Sequence, residues 1–162
     1  MQRRFLIIGP SWIGDMVMAQ SLFITLKQLY PDCLIDVVAP QWSLPILKRM
    51  TEVNEGISAG VAHGEFSFFK RRALGKSLRA RRYTNAIVIP RSWKSAIIPF
   101  YAGIPLRTGY KGEMRYGLLN DFRVLDKSVL KQTVQRYVAH AYGDAPPSNG
   151  CPSTSFRDAC TW

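Results

Sequence analysis

The sequence is short of acidic residues, and its few cysteines show no metal-binding pattern. It has 11 Asp and Glu residues against 22 Lys and Arg residues, which gives a formal net charge of +11. This excess indicates an anionic partner such as nucleic acid, a phosphorylated lipid or a phosphosugar, and charge alone does not rank them. The 3 cysteines are odd in number and lack metal-ligand spacing. We therefore predict no metal site and a reducing compartment.

The sequence also lacks a long apolar run. The apolar segment at residues 5–8 follows two arginines but is broken by Gly9 and Pro10, so it is too short for a signal peptide. The later stretch at residues 96–106 contains two prolines and is too short to span a bilayer. We expect a soluble, cytoplasmic protein of one ordinary domain with a substantial core.

Short apolar runs alternate with helical patterns along the chain, which predicts a parallel α/β sheet. The predicted strands are residues 5–8, 34–39, 55–58, 86–89, 106–110 and 123–125. Between and after them we predict a helix with Met18, Leu22, Leu26 and Leu29 on its buried face, and helices at residues 43–50, 69–82, 92–101 and 128–142. Ser92 is the predicted cap of its helix, and Pro99 is expected to strain or bend it. Right-handed crossovers then give a Rossmann-like parallel sheet with helices on both faces.

The composition changes after residue 142. Residues 143–162 contain three prolines, two cysteines and several serines without apolar periodicity. Such a segment buries little apolar surface. We predict a Rossmann-like domain at residues 1–142 and a disordered or non-native tail at residues 143–162.

The loop after the first predicted strand carries the most informative residue. Ligands of open α/β sheets bind beyond the carboxyl ends of the strands, where Asp15 is expected to lie. A carboxylate there serves either as a general base or as a cap at the helix N-terminus. The glycines from Gly9 to Gly14 do not form a dinucleotide fingerprint or a P-loop, and we expect them to let a sugar approach the backbone. Trp12 either stacks on that sugar or is buried.

A basic helix is the second candidate site. Arg72, Lys76 and Arg79 are predicted to share one face, while Leu74 and Leu78 share another. The basic residues of this helix are Lys70, Arg71, Arg72, Lys76, Arg79, Arg81 and Arg82. Their cations suit phosphates and carboxylates, although a solvated helix face is the alternative interpretation.

A second basic set surrounds the ends of the fourth and fifth strands. Its members are Arg91, Lys94, Arg107, Lys111 and Arg115. We expect at least one of them to face the crevice, with Lys94 and Arg115 favoured. His63 is a further candidate for the lining of the site, and His140 is interpreted as structural.

Three segments together resemble a known family. Residues 9–16, 91–96 and 102–121 are similar to the lipopolysaccharide heptosyltransferase II family within glycosyltransferase family nine, and the likeness extends through most of residues 1–142. The resemblance implies an inverting glycosyltransferase of the GT-B architecture, in which two Rossmann-like domains face each other across a cleft. This sequence matches the N-terminal half, which holds the acceptor. The donor-binding C-terminal domain has no counterpart in it.

The resemblance also implies roles and partners. The enzyme transfers heptose from ADP-heptose to the first heptose of the inner core on Kdo-lipid A, without a cofactor, and Asp15 is its general base. The expected acceptor-binding residues are Ser11, Trp12, Gly14, Arg71, Arg72, Lys76, Lys94 and Arg115. The implied location is the cytoplasm of a Gram-negative bacterium, with peripheral contact at the inner membrane and no nucleic acid bound. The competing hypotheses are a basic nucleic-acid-binding module and a non-catalytic, acceptor-binding fragment.

Overall fold

Six parallel strands form one sheet in the part of the chain that the computed structural model describes, which is residues 2–60, 67–110, 117–123, 138 and 141. The strands are β1 (Arg4–Ile8), β2 (Leu34–Ala39), β3 (Glu55–Ser58), β4 (Asn85–Val88), β5 (Leu106–Tyr110) and β6 (Asp121–Arg123). Their order is β3-β2-β1-β4-β5-β6, and every neighbouring pair is parallel. This order is that of a doubly wound Rossmann sheet. The predicted fold class is confirmed.

Helices cover both faces of the sheet. They are α1 (Ile13–Leu29), α2 (Leu44–Leu47), α3 (Phe68–Leu78) and α4 (Ile97–Tyr101), with 3-10 turns at Gln41–Ser43, Arg79–Arg81 and Trp93–Ala96. Side chains of a strand alternate between the two faces. In β1, Phe5 and Ile7 join the core beneath α1 and α2, whereas Leu6 and Ile8 join the core beneath α3 and α4. We call these two sides the α1–α2 face and the α3–α4 face.

The buried side of α1 differs from the predicted one. Leu22 and Leu26 are buried as expected, but Met18 is half-buried and Leu29 is exposed. The buried set is Met16, Ala19, Leu22, Phe23, Thr25 and Leu26. The prediction was wrong at Met18 and Leu29 because α1 has apolar residues on more than one side, and spacing alone does not show which side is buried.

The segment after β4 also differs from prediction. It begins as a 3-10 turn, and Ser92 makes no side-chain cap hydrogen bond. Pro99 is the third residue of α4, where a backbone N–H has no partner within the helix, so the proline does not strain it. β6 begins two residues before the predicted strand because Asp121 pairs with Thr108 of β5. Apart from positions 138 and 141, the predicted helix at 128–142 and the tail at 143–162 lie outside the described residues.

The helices of the α3–α4 face pack very closely. A Cβ atom added to Gly75 would lie 2.7 Å from the carbonyl oxygen of Ile98 and 2.9 Å from the Cβ atom of Tyr101. Gly75 is buried, and only a residue without a side chain permits this approach. The contact fixes α3 against α4.

Candidate functional site

The crevice of this sheet lies between β1 and β4. The chain leaves β1 through α1 on one face and leaves β4 through α4 on the opposite face, although the two strands are neighbours. Their following loops therefore diverge at the carboxyl edge, and such a switch point is where ligands bind in open α/β sheets. The loop after β1 contains residues 9–12, and the loop after β4 contains residues 89–92.

Asp15 lies in the first turn of α1, beside this crevice. The helix N-cap is Trp12, which makes no side-chain cap hydrogen bond, and Asp15 is the third helical residue. The carboxylate is half-buried and has no hydrogen-bond or ion-pair partner among the described residues. The positive end of the helix favours a negative charge at this position. Asp15 is therefore not the N-cap, and its oxygens remain available to a ligand.

The loop before Asp15 is buried at Gly9 and exposed at Trp12. A Cβ atom on Gly9 would lie 2.6 Å from Cε of Met16 and 3.2 Å from Cγ1 of Val37, so this glycine serves internal packing and not ligand approach. Gly14 has no atom within 4 Å of its would-be Cβ position. Trp12 is 68% exposed, so the alternative in which its ring is buried is wrong. The open part of the loop is its second half.

Trp42 is a residue of this edge that the sequence analysis missed. Its Nε1 donates a hydrogen bond to the carbonyl oxygen of Ser11 at 3.0 Å, and its side chain is exposed. The bond joins the segment after β2 to the loop after β1. A signal was present in the sequence, since Pro40 ends β2 and places Trp42 at the same carboxyl edge.

Lys94 enters the crevice region from the other side. It lies in the 3-10 turn after β4 and is half-buried. The hydroxyl of Ser95 donates to the carbonyl oxygens of Ser92 and Pro90, which fixes the turn. Arg91, in the same loop, is exposed.

The basic helix divides into two parts. Because α3 follows β3 and leads into β4, it runs from the carboxyl edge of the sheet toward the amino edge. Arg71 and Arg72 are half-buried near its start, whereas Lys76 is exposed in its last turn. The guanidinium of Arg72 lies 5.4 Å from the ring centre of Tyr101. Arg71 and Arg72 are thus nearer than Lys76 to the edge that carries Asp15.

Arg81 belongs to the fold and not to a ligand-binding surface. Its guanidinium donates to both carboxylate oxygens of Glu55 and lies 3.3 Å from Asp36. Asp36 is buried and also accepts hydrogen bonds from the Tyr83 hydroxyl at 2.6 Å and from the Asn54 amide at 2.8 Å. Burial, followed by the bond to Asp36, raises the pKa of Tyr83 well above its ordinary value. The bond to Glu55 likewise raises the pKa of Arg81.

Arg107 also has a structural role. Its guanidinium donates to the carbonyl oxygens of Leu118 at 2.7 Å and Ile104 at 2.6 Å. The expected binding residue Arg115 lies outside the described residues, as do His63, Lys111, Glu113 and His140. Within the described ranges, no group of three metal-ligating side chains occurs and no helix is long and apolar enough to cross a membrane.

The fold and the site define an α/β protein with a ligand crevice at the switch point of a Rossmann-like sheet. A family model described as glycosyltransferase family 9 (heptosyltransferase) matches residues 71–153, about half of the chain. The chain belongs to this family, which confirms the resemblance found in its sequence.

Individual relatives agree with this assignment. The chain is 58% identical over 139 residues to lipopolysaccharide heptosyltransferase 2 of Escherichia coli K12 and 59% identical over 139 residues to that of Salmonella typhimurium LT2. These alignments cover 86% of the chain but 40% of each relative. The solved structure of E. coli ADP-heptose lps heptosyltransferase II superposes with a TM-score of 0.77 at 56% identity, covering 88% of this chain and 40% of that one. The chain thus spans about 40% of the length of the curated relatives it matches.

Proposed function

We propose that this chain is the acceptor-binding part of a lipopolysaccharide heptosyltransferase. In the complete reaction, heptose passes from ADP-heptose to the first heptose of the inner core with inversion at the anomeric carbon. Asp15 takes the proton of the acceptor hydroxyl as its oxygen bonds to that carbon. The bond from the anomeric carbon to the phosphate oxygen breaks, and ADP leaves with the electron pair. The donor is held by a further part that resembles the C-terminal half of the relatives.

The observation that carries this proposal is the position of Asp15. A general base must reach the acceptor hydroxyl and be free to accept its proton. The Asp15 carboxylate lies beside the switch-point crevice and has no hydrogen-bond or ion-pair partner within the described part of the chain. Ser11 and Trp12 end the preceding loop and Gly14 is the helical residue before Asp15, and these residues are proposed to contact the acceptor sugar.

The charge distribution supports an anionic acceptor. Residues 66–112 contain no Asp or Glu, although they hold 11 of the 22 Lys and Arg residues. The Arg72 guanidinium lies 5.4 Å from the ring centre of Tyr101, and no carboxylate of the described residues is recorded against it. Guanidinium groups suit the phosphates and carboxylates of an inner-core acceptor. Among the residues that the structure describes, the proposed contacts with the acceptor are Arg71, Arg72, Lys76 and Lys94. Arg115, outside that part, is a further proposed contact.

The acceptor also supports a location. Because it is anchored in lipid, we propose that the protein works in the cytoplasm of a Gram-negative bacterium, at the inner face of the inner membrane. ADP-heptose is a substrate and not a cofactor, and the proposed reaction needs no metal. A non-catalytic fragment that binds acceptor alone is the second candidate, because the chain spans about 40% of its relatives' length.

The test uses a chimera in which residues 1–142 of this chain replace the matching part of the E. coli relative. We expect the chimera to release ADP from ADP-heptose when acceptor is supplied. Asp15→Asn keeps the size of the side chain but removes the base, so turnover should fall by about 10²–10⁴-fold, the usual contribution of general-base catalysis. Binding of acceptor should change little, because the lost interaction is made in the transition state. Stopped-flow turnover and calorimetry measure the two effects.

Two results would reject the assigned role of Asp15. The first is near-normal turnover of the Asp15→Asn chimera, and the second is an equal loss of turnover and acceptor affinity. If the chimera is active and the natural chain alone binds acceptor, acceptor recognition is assigned to residues 1–142. Salt-dependent binding of duplex DNA without acceptor binding would favour the nucleic-acid module instead.

A further inference from the structure

Four aromatic rings form a continuous row across α3 and α4. Phe69 contacts Phe68 edge-on at 5.8 Å between ring centres, Phe68 contacts Tyr101 at 6.0 Å, and Tyr101 contacts Phe100 at 5.4 Å. The interplanar angles lie between 83° and 90°. We call these residues the aromatic row. The mutual contacts hold the rings at the surface as one group.

The outer rings of the aromatic row are exposed although both helices already have a core. Phe69 is 78% exposed and Phe100 is 40% exposed. The same helices bury Leu78 and Ile98, and Gly75 closes the space between them. The exposed rings therefore add nothing to this core. A contiguous apolar patch that the fold does not need indicates a binding partner.

Cations border the aromatic row. Arg72 lies 5.4 Å from the ring centre of Tyr101, and Arg107 lies 5.6 Å from that of Phe100. Lys70, Lys76 and Arg79 are exposed on or directly after α3. The sequence from residue 66 to residue 112, which contains both helices, has no acidic side chain, so α3 and α4 contribute positive charge only. Its partner must be both anionic and able to receive apolar rings.

We propose that this patch docks the protein on an anionic lipid bilayer. Aromatic rings are favoured at the depth of lipid head groups, and nearby Lys and Arg are attracted to acidic lipids. A nucleic acid is the competing anionic partner, because an exposed ring such as Phe69 also stacks on bases, and duplex DNA is therefore included in the test. The inference extends the proposed function, because a lipid-linked acceptor lies at such a surface. It does not depend on Asp15 or on turnover.

Vesicle sedimentation with the natural chain tests the docking surface without acceptor or donor. We expect binding to phosphatidylglycerol–phosphatidylcholine vesicles and at least ten-fold weaker binding to pure phosphatidylcholine. Phe69→Ala with Phe100→Ala should lower the affinity for acidic vesicles about ten-fold. Lys76→Ala with Arg79→Ala should lower it similarly, and 0.5 M salt should suppress the binding further by screening.

Matched variants on the opposite face give the control. Val17→Ala with Leu29→Ala removes exposed apolar groups there, and Lys48→Ala with Arg49→Ala removes exposed cations. Both should leave vesicle binding unchanged, and Phe69→Trp should retain it because tryptophan also favours the interface. Equal binding by the Phe69/Phe100 variant and the natural chain would overturn the proposal. So would equal losses on both faces, or tighter binding of duplex DNA than of acidic vesicles.

If vesicle binding fails while the chimera is active, the docking surface is wrong and the proposed function stands. If vesicle binding follows the expected pattern while the chimera is inactive with acceptor, the surface stands and the enzymatic assignment is wrong.

Discussion

The two faces of the sheet differ in the kind of charge they carry. The α1–α2 face has Asp15 and Glu52 together with Lys27 and Lys48, so both signs are present. The helices of the α3–α4 face contribute cations only. The acidic residues on that side, Asp36 from β2 and Glu55 from β3, are both bonded to Arg81. Under the proposed function, the α1–α2 face would supply the proton acceptor through Asp15 and the α3–α4 face would bind an anion.

Removing cations from each face is the strongest test of this contrast. Arg71→Ala with Arg72→Ala and Lys76→Ala should weaken binding of phosphorylated acceptor about 10- to 100-fold, because several charge-assisted contacts to one polyanion are lost. The melting temperature should fall only slightly, because exposed Lys76 contributes little to stability and half-buried Arg72 loses one contact with the Tyr101 ring. Calorimetry and thermal melts of the natural chain measure both quantities.

The control for this variant is Lys48→Ala with Arg49→Ala on the α1–α2 face. It should leave acceptor affinity within about two-fold. If the variants of both faces lose acceptor affinity to a similar extent, the protein attracts acceptor through net charge alone. The two faces would then not differ in acceptor binding.

Glycine substitutions test how rigidly each face is packed. A methyl group on Gly75 would meet the Ile98 carbonyl and the Tyr101 Cβ atom, which cannot move without shifting α4. A methyl group on Gly9 would meet mainly the flexible end of Met16. We expect Gly75→Ala to cost about 1–3 kcal/mol of unfolding free energy, the usual range for overpacking, and Gly9→Ala about 1 kcal/mol or less. Denaturant titration measures both, with Gly14→Ala as the unhindered control.

If Gly75→Ala and Gly9→Ala lower the unfolding free energy equally, the two faces do not differ in how rigidly they are packed. A stabilised Gly75→Ala variant would show that helix propensity outweighs the steric contact.

The smallest expected effect is a change in the free energy of unfolding of a Tyr83 variant at alkaline pH. The pKa of Tyr83 is raised by burial and by its bond to Asp36. Since the folded pKa exceeds the unfolded value of about 10, the stabilisation is complete below about pH 10 and is lost as the pH rises above it. Tyr83→Phe should cost about 1 kcal/mol at pH 7 by removing a donor from Asp36 and should weaken the loss of stability above pH 10.

Tyr30→Phe is the matched variant on the α1–α2 face. The Tyr30 ring stacks at 5.9 Å on Phe5, and this contact is retained by phenylalanine. Urea unfolding at intervals from pH 7 to 11 should show a changed alkaline slope for Tyr83→Phe relative to the natural chain. Parallel slopes for both variants would remove the assigned role of the Tyr83–Asp36 bond.

Local sequence patterns predicted the strands better than the helix surfaces. β2, β3 and β5 have the predicted bounds, and the end of β2 was marked by an apolar run that stops at Pro40. β6 is displaced because its pairing with β5 depends on Thr108 and Asp121, which are distant in sequence. The buried side of α1 depends on which of its apolar sides the sheet covers. Such tertiary relations are invisible to periodicity.

The candidate site could be predicted in part. The strand–loop–helix pattern placed Asp15 at the carboxyl edge, where it is found. The helical pattern predicted that Arg81 belongs to a basic surface. The sequence does not show that Arg81 pairs with Glu55 and Asp36, which come from other strands. Trp42 was missed because its role depends on a hydrogen bond to a backbone carbonyl 31 residues away.

The central position of β1 has a consequence for how the chain is made. β1 precedes both of its neighbours in the chain, and the second of them, β4, follows 80 residues later, as the hydrogen bond between Arg4 and Thr84 shows. Until that segment leaves the ribosome, one edge of β1 stays unpaired, and the side chains of Leu6 and Ile7, fully buried in the finished sheet, lack part of their cover. Pairings between distant segments are slow to form. During synthesis, the growing chain therefore exposes a strand edge that chaperones are suited to shield.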